Sequence, residues 1–358
     1  MKKKIGVIFG GRSSEHEVSV ESAKTVCAEL AKAGFAVFPL YAPRGGAWRL
    51  VKPADLQAGR LSGPEVEPSL SGACFVKKGG GRLKPDALFP IIHGTTGEDG
   101  VLQGFMELAA IPYAGCGVTA SAVGMDKEIS KALAALAGVP VLPHVVIRAH
   151  QKAAMGPLLK KAASLGYPLF VKPVSLGSSV GVSKVKSLAE LKPAVLKAFR
   201  FDSAVMIEKG VDRAREIVCG VLGDQAKAAA SVTGEVVPKG KHEFFDYEAK
   251  YLDDSGMEFL LPAPLPAAVS RRLRDLAVKA FHALGCTGMA RVDFLVDPRR
   301  PERAWFCEIN TLPGFTSHSL YPRLWARTGV PPSRVVAKLV GYGLRTAAAR
   351  RSLRISRK

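Results

Sequence analysis

Two short segments near the carboxyl end limit the fold more than any other feature of this chain. Residues 289–296 and 304–310 are rich in strand-forming apolar side chains, and each sets its polar groups two apart: Arg291 and Asp293, with Leu295 next, then Glu308 and Asn310. Side chains alternate across a strand, so each set lies on one face. The turn-rich connection 297–304 (DPRRPERA) predicts antiparallel pairing. Two carboxylates and an amide oxygen then converge beside a guanidinium, on strands whose Phe294, Phe306 and Ile309 read as core. Unpaired carboxylates there would be costly. The bland alternative is a hairpin with one solvated face. Hard oxygen donors of this kind suit Mg²⁺, with nucleotide phosphates and water completing the shell. The following turn, Thr311-Leu312-Pro313-Gly314-Phe315-Thr316-Ser317-His318-Ser319, is suited to holding a carboxylate through backbone N–H groups.

The amino end predicts a second architecture. Residues 4–9 read as a buried strand turned by Gly10-Gly11, and Val18, Ala23, Val26, Cys27, Leu30 and Ala31 recur at helical spacing until Gly34. A strand over 35–41 follows, making a β-α-β start with a parallel sheet. No G-x-G-x-x-G follows the first strand, and Tyr41-Ala42-Pro43 offers no acid for a ribose, so a nicotinamide dinucleotide fold is disfavoured. Residues 43–85 predict loops with short strands, and 86–92 a buried strand. Ligands of open α/β sheets bind beyond the carboxyl ends of strands, which turns Glu15 and His93 toward one crevice. Further on, helices are expected at 101–110, 126–137, 153–165, 188–199, 269–284 and 331–345. Strands are expected at 145–148, 205–208, 216–222 and 226–232, with a hairpin over 167–185.

Charge and cysteine usage narrow the partners. Of 358 residues, 51 are Lys or Arg and 31 Asp or Glu, a net +20 that asks for an anionic partner. The excess is spread out and shows no aromatic-interleaved basic stripe, so nucleic acid is not expected. No run approaches the ~18 apolar residues of a membrane span, and the apolar run 5–9 is too short for a signal peptide. The six cysteines form no C-x-x-C pair, which suits a reducing cytosol.

Three further groups carry chemistry. Lys172 precedes Gly177-Ser178-Ser179-Val180-Gly181, a loop whose N–H groups can approach phosphate oxygens, although alone it reads as a plain hairpin turn. Glu208-Lys209 ends a strand whose edge could meet an adenine, with Glu216 near for ribose hydroxyls; in isolation the pair is bland. Lys250-Tyr251 lies in a polar-aromatic segment, 240–256, that reads as a lid excluding water or as a surface loop.

Taken in order, these motifs resemble the D-alanine–D-alanine ligase family of the ATP-grasp superfamily. The matching segments are Gly10 to Ser19 (GGRSSEHEVS), His93 to Gly100, Met125-Asp126-Lys127, Gly177 to Gly181, Asp246 to Tyr251 and Glu308 to Ser319 (EINTLPGFTSHS), within a likeness from Ile5 to about Leu339. The resemblance implies an α/β, three-domain ATP-grasp chain: an N-terminal parallel-sheet substrate domain (1–118) and two mixed α+β domains clamping ATP (119–207 and 208–345), then a basic tail (346–358). It implies ATP-dependent joining of two D-alanines through an acyl phosphate for peptidoglycan synthesis, with D-serine or D-lactate as alternative acceptors. Asp293, Glu308 and Asn310 resemble the ligands of two Mg²⁺ or Mn²⁺ ions. Lys127, Lys172 and Lys250 resemble phosphate-binding lysines, with Ser178 and Ser179 in the phosphate loop, and Glu208, Lys209, Val211 and Glu216 the nucleotide edge. Arg291 resembles the oxyanion stabiliser. Glu15 and His93 resemble the grip on the first D-alanine, and Gly314, Ser319 and Leu320 that on the second. Glu15, Ser178 and Tyr251 would pin the lid, and Tyr251 favours a dipeptide product over an ester. Gly210 departs from the family, where many members carry a bulky residue. A cytoplasmic homodimer is expected.

Overall fold

Strand β1 (Lys4–Gly10) is buried at every position after Lys4 because both of its neighbours run parallel to it and both of its faces are covered. The structure, a computed structural model, describes residues 1–70, 72–238 and 257–354. β1 pairs with β2 (Ala36–Ala42) and β7 (Ala87–Pro90). Beyond β2 the sheet turns antiparallel through β3 (Trp48–Leu50), β4 (Glu65–Ser69), β5 (Cys74–Lys77) and β6 (Arg82–Leu83), giving the order β6-β5-β4-β3-β2-β1-β7. The helix His16–Lys32 buries Ala23, Val26, Cys27 and Leu30 as read from sequence, and Ser19 and Ser22 with them, while Val18 is half-buried and Ala31 exposed. Burying a Val or Leu this fully contributes about 1.5–3 kcal/mol each.

The second sheet is antiparallel, in the order β10-β9-β11-β8, from β8 (His144–Arg148), β9 (Leu169–Pro173), β10 (Ser183–Val185) and β11 (Ala204–Lys209). Val145, Ile147, Leu169, Val171, Val205 and Ile207 form its core with the helices Gly156–Ala163 and Leu188–Ala198. The alternate residues, Phe170 and Lys172 opposite Glu208 and Met206, therefore occupy the other face.

The third sheet runs β14-β13-β12-β15-β16, from β12 (Arg215–Gly223), β13 (Ala228–Pro238), β14 (Met257–Leu260), β15 (Gly288–Val296) and β16 (Ala304–Asn310). The helix Ala267–Ala283 packs Leu273, Ala277 and Phe281 into the core that holds Ile217, Val292, Phe294 and Phe306. On the opposite face, the helix Leu320–Arg327 sets Leu320 and Leu324 against Val218 and Val236. Phe306 N–H donates to Pro140 O, tying the third sheet to the connection before the second.

Several elements differ from expectation. The helices Val118–Met125 and Leu320–Arg327 were not predicted, and a short helix, Pro53–Gln57, interrupts the strands of the 43–85 region. The closing helix, Pro332–Arg351, runs beyond 345 because Ala347, Ala348 and Ala349 favour helix and Arg350 and Arg351 complement its carboxyl end. Part of the expected tail is thus ordered: Arg350 pairs with Glu107, and Arg351 donates to Ala110 O. The same helix returns Val335, Val336, Leu339 and Val340 to the core beside the first sheet. Gly343 permits that approach, since a Cβ there would stand 2.0 Å from Tyr113 O. The expected boundary after residue 207 falls inside β11. Among the described residues, no helix is long and apolar enough to cross a membrane.

Candidate active site

Strands β15 and β16 pair antiparallel with Asp293 opposite Glu308 and Arg291 opposite Asn310. Cys307 is an extra residue: pairing slips so that Phe294 faces Phe306, and this bulge lets Glu308 and Asn310 share the face of Asp293 while Phe306 stays in the core. Arg291 forks onto Asp293, with N–H···O distances of 2.7–3.2 Å. Burial works against the Arg291 charge, but Asp293 outweighs it and holds the guanidinium pKa above its ordinary value. Asn310 Oδ1 accepts from Leu312 N–H at 2.8 Å, and Glu308 lies 3.7 Å from Lys127 Nζ. Among the described residues no three His, Cys, Asp or Glu side chains cluster as a metal site. The converging donors here are two carboxylates and an amide, all hard oxygens, and they fit Mg²⁺ or Mn²⁺.

A cavity of about 1220 Å³ opens on this edge. Arg291, Glu308, Asn310, Lys127, Gly177, Ser178, Gly314, Ser319, Leu320, Glu15 and His93 all line it. Glu15 immediately precedes the helix His16–Lys32 and accepts a hydrogen bond from Ser178 Oγ, which joins the first sheet's end of the cavity to the Gly/Ser loop. Ser178 and Ser179 hold φ of 52° and 56°, left-handed conformations that cost energy for non-glycine residues. His93 is buried, with Nε2 2.9 Å from Ser22 Oγ and Nδ1 3.4 Å from Glu98 Oε1. Burial raises the Glu98 carboxyl above the usual range; His93 draws it back and Glu15 pushes it further up. Ser22 also accepts from Phe315 N–H at 3.3 Å, linking His93 to the turn after β16. In that turn Ser319 Oγ accepts from Thr316 N–H at 2.9 Å and precedes the helix Leu320–Arg327, whose amino end favours an anion.

Behind Lys127 lies a second charged cluster. Lys172 Nζ donates to Glu208 Oε2 at 2.6 Å, and Lys131 Nζ lies 2.6 Å from Glu208 Oε1. Burial opposes the Glu208 charge, but Lys131 and Lys172 bring its pKa down to about 2. Lys172 is lifted above the lysine value, Glu208 outweighing burial. Lys127, by contrast, is lowered by burial despite Glu308, and its Nζ donates to Leu176 O at 2.5 Å.

The expected nucleotide edge is only partly gathered here. Lys209 turns its side chain away from Glu208 and donates to Tyr167 O at 2.9 Å, because neighbours on a strand point to opposite faces. Val211 is half-buried in the turn after β11. Glu216 sits opposite Leu295 on the face that carries Asp293. At Gly210 a side chain would meet Phe170 and Pro168 O at 3.0 Å, so Phe170 fills the space a bulky residue would take. Lys250 and Tyr251 lie outside the described residues.

Sequence reasoning missed Lys131, Glu98 and Ser22 as members of these clusters. Lys131 carried a usable signal, standing four residues after Lys127 and hence on the same helical face.

Two family models cover most of the chain: D-ala D-ala ligase N-terminus over residues 4–116 and D-ala D-ala ligase C-terminus over residues 133–341. The chain is 44% identical to a D-alanine–D-alanine ligase of Heliobacterium modesticaldum, over 96% of this chain and 95% of that one. Its fold is similar to the D-alanine–D-alanine ligase structure from Coxiella burnetii, with a TM-score of 0.85, 32% identity, and coverage of 98% and 97%. It is also similar to the VanG D-Ala:D-Ser ligase of Enterococcus faecalis, with a TM-score of 0.86, 36% identity, and coverage of 96% and 100%.

Proposed function

The chain belongs to the D-alanine–D-alanine ligase family, and on that premise we propose that it joins two D-alanine molecules into D-alanyl-D-alanine, releasing ADP and phosphate, for peptidoglycan synthesis. One observation carries the reading: a single cavity is lined by Glu15 and His93 together with Lys127, Arg291, Glu308 and Asn310. An acid for an ammonium group and cations for phosphates in one space are what an amino acid and a triphosphate need when a carboxylate must meet the terminal phosphorus.

A carboxylate is a poor electrophile, so the first D-alanine attacks the γ-phosphorus through a carboxyl oxygen and ADP departs. The amine of the second attacks the acyl carbon, and the C–O bond breaks to expel phosphate. Positioning and charge neutralisation supply most of the help in phosphoryl transfer. Glu15, beside the buried His93 and Glu98, holds the first ammonium group. Gly314, Ser319 and Leu320 receive the second carboxylate at the amino end of a helix. Lys127, Lys172 and Lys250 bind phosphate oxygens with the Ser178-Ser179 backbone. Arg291 faces the oxyanion of the tetrahedral intermediate, a role worth about 3–4 kcal/mol in comparable sites. Glu208, the Lys209 backbone, Val211 and Glu216 take the nucleoside.

Asp293, Glu308 and Asn310 would hold Mg²⁺ or Mn²⁺, two ions in this reading. Bound there, such ions neutralise phosphate charge. Tyr251, outside the described residues, carries the expected preference for an amine acceptor over a hydroxyl.

The domains are read as 1–118, 119 to the turn 210–214, and from there to 345, one sheet in each. Cytoplasmic residence agrees with six unbridged cysteines. A homodimer agrees with Val101 and Leu108, which are 62% and 73% exposed on one helix.

The test is phosphate release with ATP and Mg²⁺ over a panel of D-alanine, D-serine, D-lactate and L-alanine. D-alanine alone should support it, with the dipeptide as product. Faster turnover when D-serine or D-lactate accompanies D-alanine would shift the reading to that acceptor.

A further inference from the structure

Lys131 is 0% exposed, an unusual setting for an ammonium group. It lies in the helix Lys127–Leu136, and its Nζ donates to Phe306 O at 3.0 Å, lies 2.6 Å from Glu208 Oε1, and sits 5.8 Å from the centre of the Phe306 ring. It thereby touches β16 and β11 at once, across the gap between the second and third sheets. Such a buried charge is costly unless paired and hydrogen-bonded, and here it is both.

The arithmetic of charge gives it a task. Glu208 is held by two lysines, Lys131 on one oxygen and Lys172 on the other. With Lys172 alone, the pair would be neutral, and a phosphate drawn to Lys172 would compete with Glu208 for it. With Lys131 present, Glu208 has its own counter-ion and the cluster keeps one net positive charge.

We infer that Lys131 is a positioning residue of the nucleotide site: it fixes Glu208 as an ionised acceptor for an amino group on the nucleobase and leaves the charge of Lys172 to the phosphates. This rests on the reading of Glu208 as part of the nucleoside edge. Each carboxylate oxygen keeps a further lone pair for that amino group, which a base bearing a carbonyl at the same position cannot satisfy. Burial presses Glu208 toward its neutral form, and the two lysines prevent this.

The experiment compares ATP with ITP, which carries a carbonyl in place of the 6-amino group, in phosphate release by the full-length enzyme at saturating D-alanine. Lys131→Met and Lys131→Gln, each checked for fold by circular dichroism, should raise KM for ATP about tenfold, with the smaller part of the loss in kcat. Both should lower the ATP-over-ITP preference by a similar factor. Lys131→Arg, which keeps the cation, should restore the preference to within about threefold of the parent. Glu208→Gln should collapse the preference by itself. If Glu208→Gln leaves the preference unchanged, the nucleoside reading of Glu208 fails. If Glu208→Gln removes it while both neutral Lys131 variants keep it, the inference about Lys131 fails alone. Failure of both neutral variants to fold, with Lys131→Arg folded, would also overturn it by making Lys131 a residue of the core only.

Discussion

The cluster around Glu208 and the edge at Asp293 are built from the same ingredients, carboxylates set against cations, and they treat burial in opposite ways. Glu208 is 1% exposed, and each oxygen has a lysine at 2.6 Å. Asp293 and Glu308 keep side-chain exposures of 18% and 29%, and Arg291 sets its fork on Asp293. The first arrangement gives each carboxylate oxygen a cation before any ligand arrives. The second is poised to exchange partners, because a cation entering there would compete with Arg291 for Asp293. A sealed cluster contributes to stability and fixes geometry, whereas an open edge contributes to chemistry.

That contrast is broken most directly at Asp293. Asp293→Asn removes a charge from the open edge and should lower turnover by at least about a hundredfold, the loss seen when even groups supporting a metal ligand are removed. Its effect on stability should stay below that of opening the Glu208 pair, since the asparagine amide oxygen can still accept from Arg291. Phosphate-release kinetics and urea unfolding on the same preparation separate the two effects. Parent-like turnover would take the metal assignment away from this edge.

The mirror image is Glu208→Ala, which leaves Lys131 and Lys172 facing each other out of water. Removing one partner of a buried pair costs about 3–5 kcal/mol, read as a lower urea midpoint. A change under about 1 kcal/mol would mean that the cluster is not sealed in solution.

Acid sharpens the comparison further. The Glu208 carboxyl is lowered from 4.5 to about 2, so its stabilisation is complete above pH 4.5 and is lost as pH falls toward 2. The shift corresponds to about 3 kcal/mol at most. Glu98 is raised, and the sign reverses: its penalty appears as pH climbs past the ordinary carboxylate range. Glu98→Gln should therefore gain stability relative to the parent at pH 7 and not at pH 4. Urea midpoints at the two pH values check both signs.

The smallest effect belongs to Ser178→Ala, which deletes the hydrogen bond to Glu15. A bond of this kind to a charged group is worth about 1.5–3 kcal/mol, and its loss should be felt as a higher KM for D-alanine. An unaltered KM would argue that Glu15 is held without the Gly/Ser loop.

Much of this was legible because the governing patterns are local. Alternation placed Arg291 with Asp293 and Glu308 with Asn310, and the buried run of 4–9 marked the parallel strand that sets Glu15 near His93. What escaped depends on contacts distant in sequence. In KEISKALAAL, Lys131 reads as one more solvated lysine, and only the approach of Phe306 and Glu208 buries it. The helix Leu320–Arg327 was hidden by Pro322, which its first turn tolerates because the N–H there has no helical partner. The bulge at Cys307 left no mark in the sequence, although it tunes which side chains share the edge. Lys209 was placed beside Glu208 by adjacency, and the pleat turned it to the other face.

The account turns on a carboxyl oxygen of D-alanine becoming the bridge to phosphorus and leaving with phosphate. D-alanine labelled with ¹⁸O in its carboxylate, incubated with ATP and Mg²⁺, puts this to a direct test by mass spectrometry of the released phosphate. One labelled oxygen per phosphate formed is the expected result. Phosphate free of label, released alongside dipeptide, would contradict it.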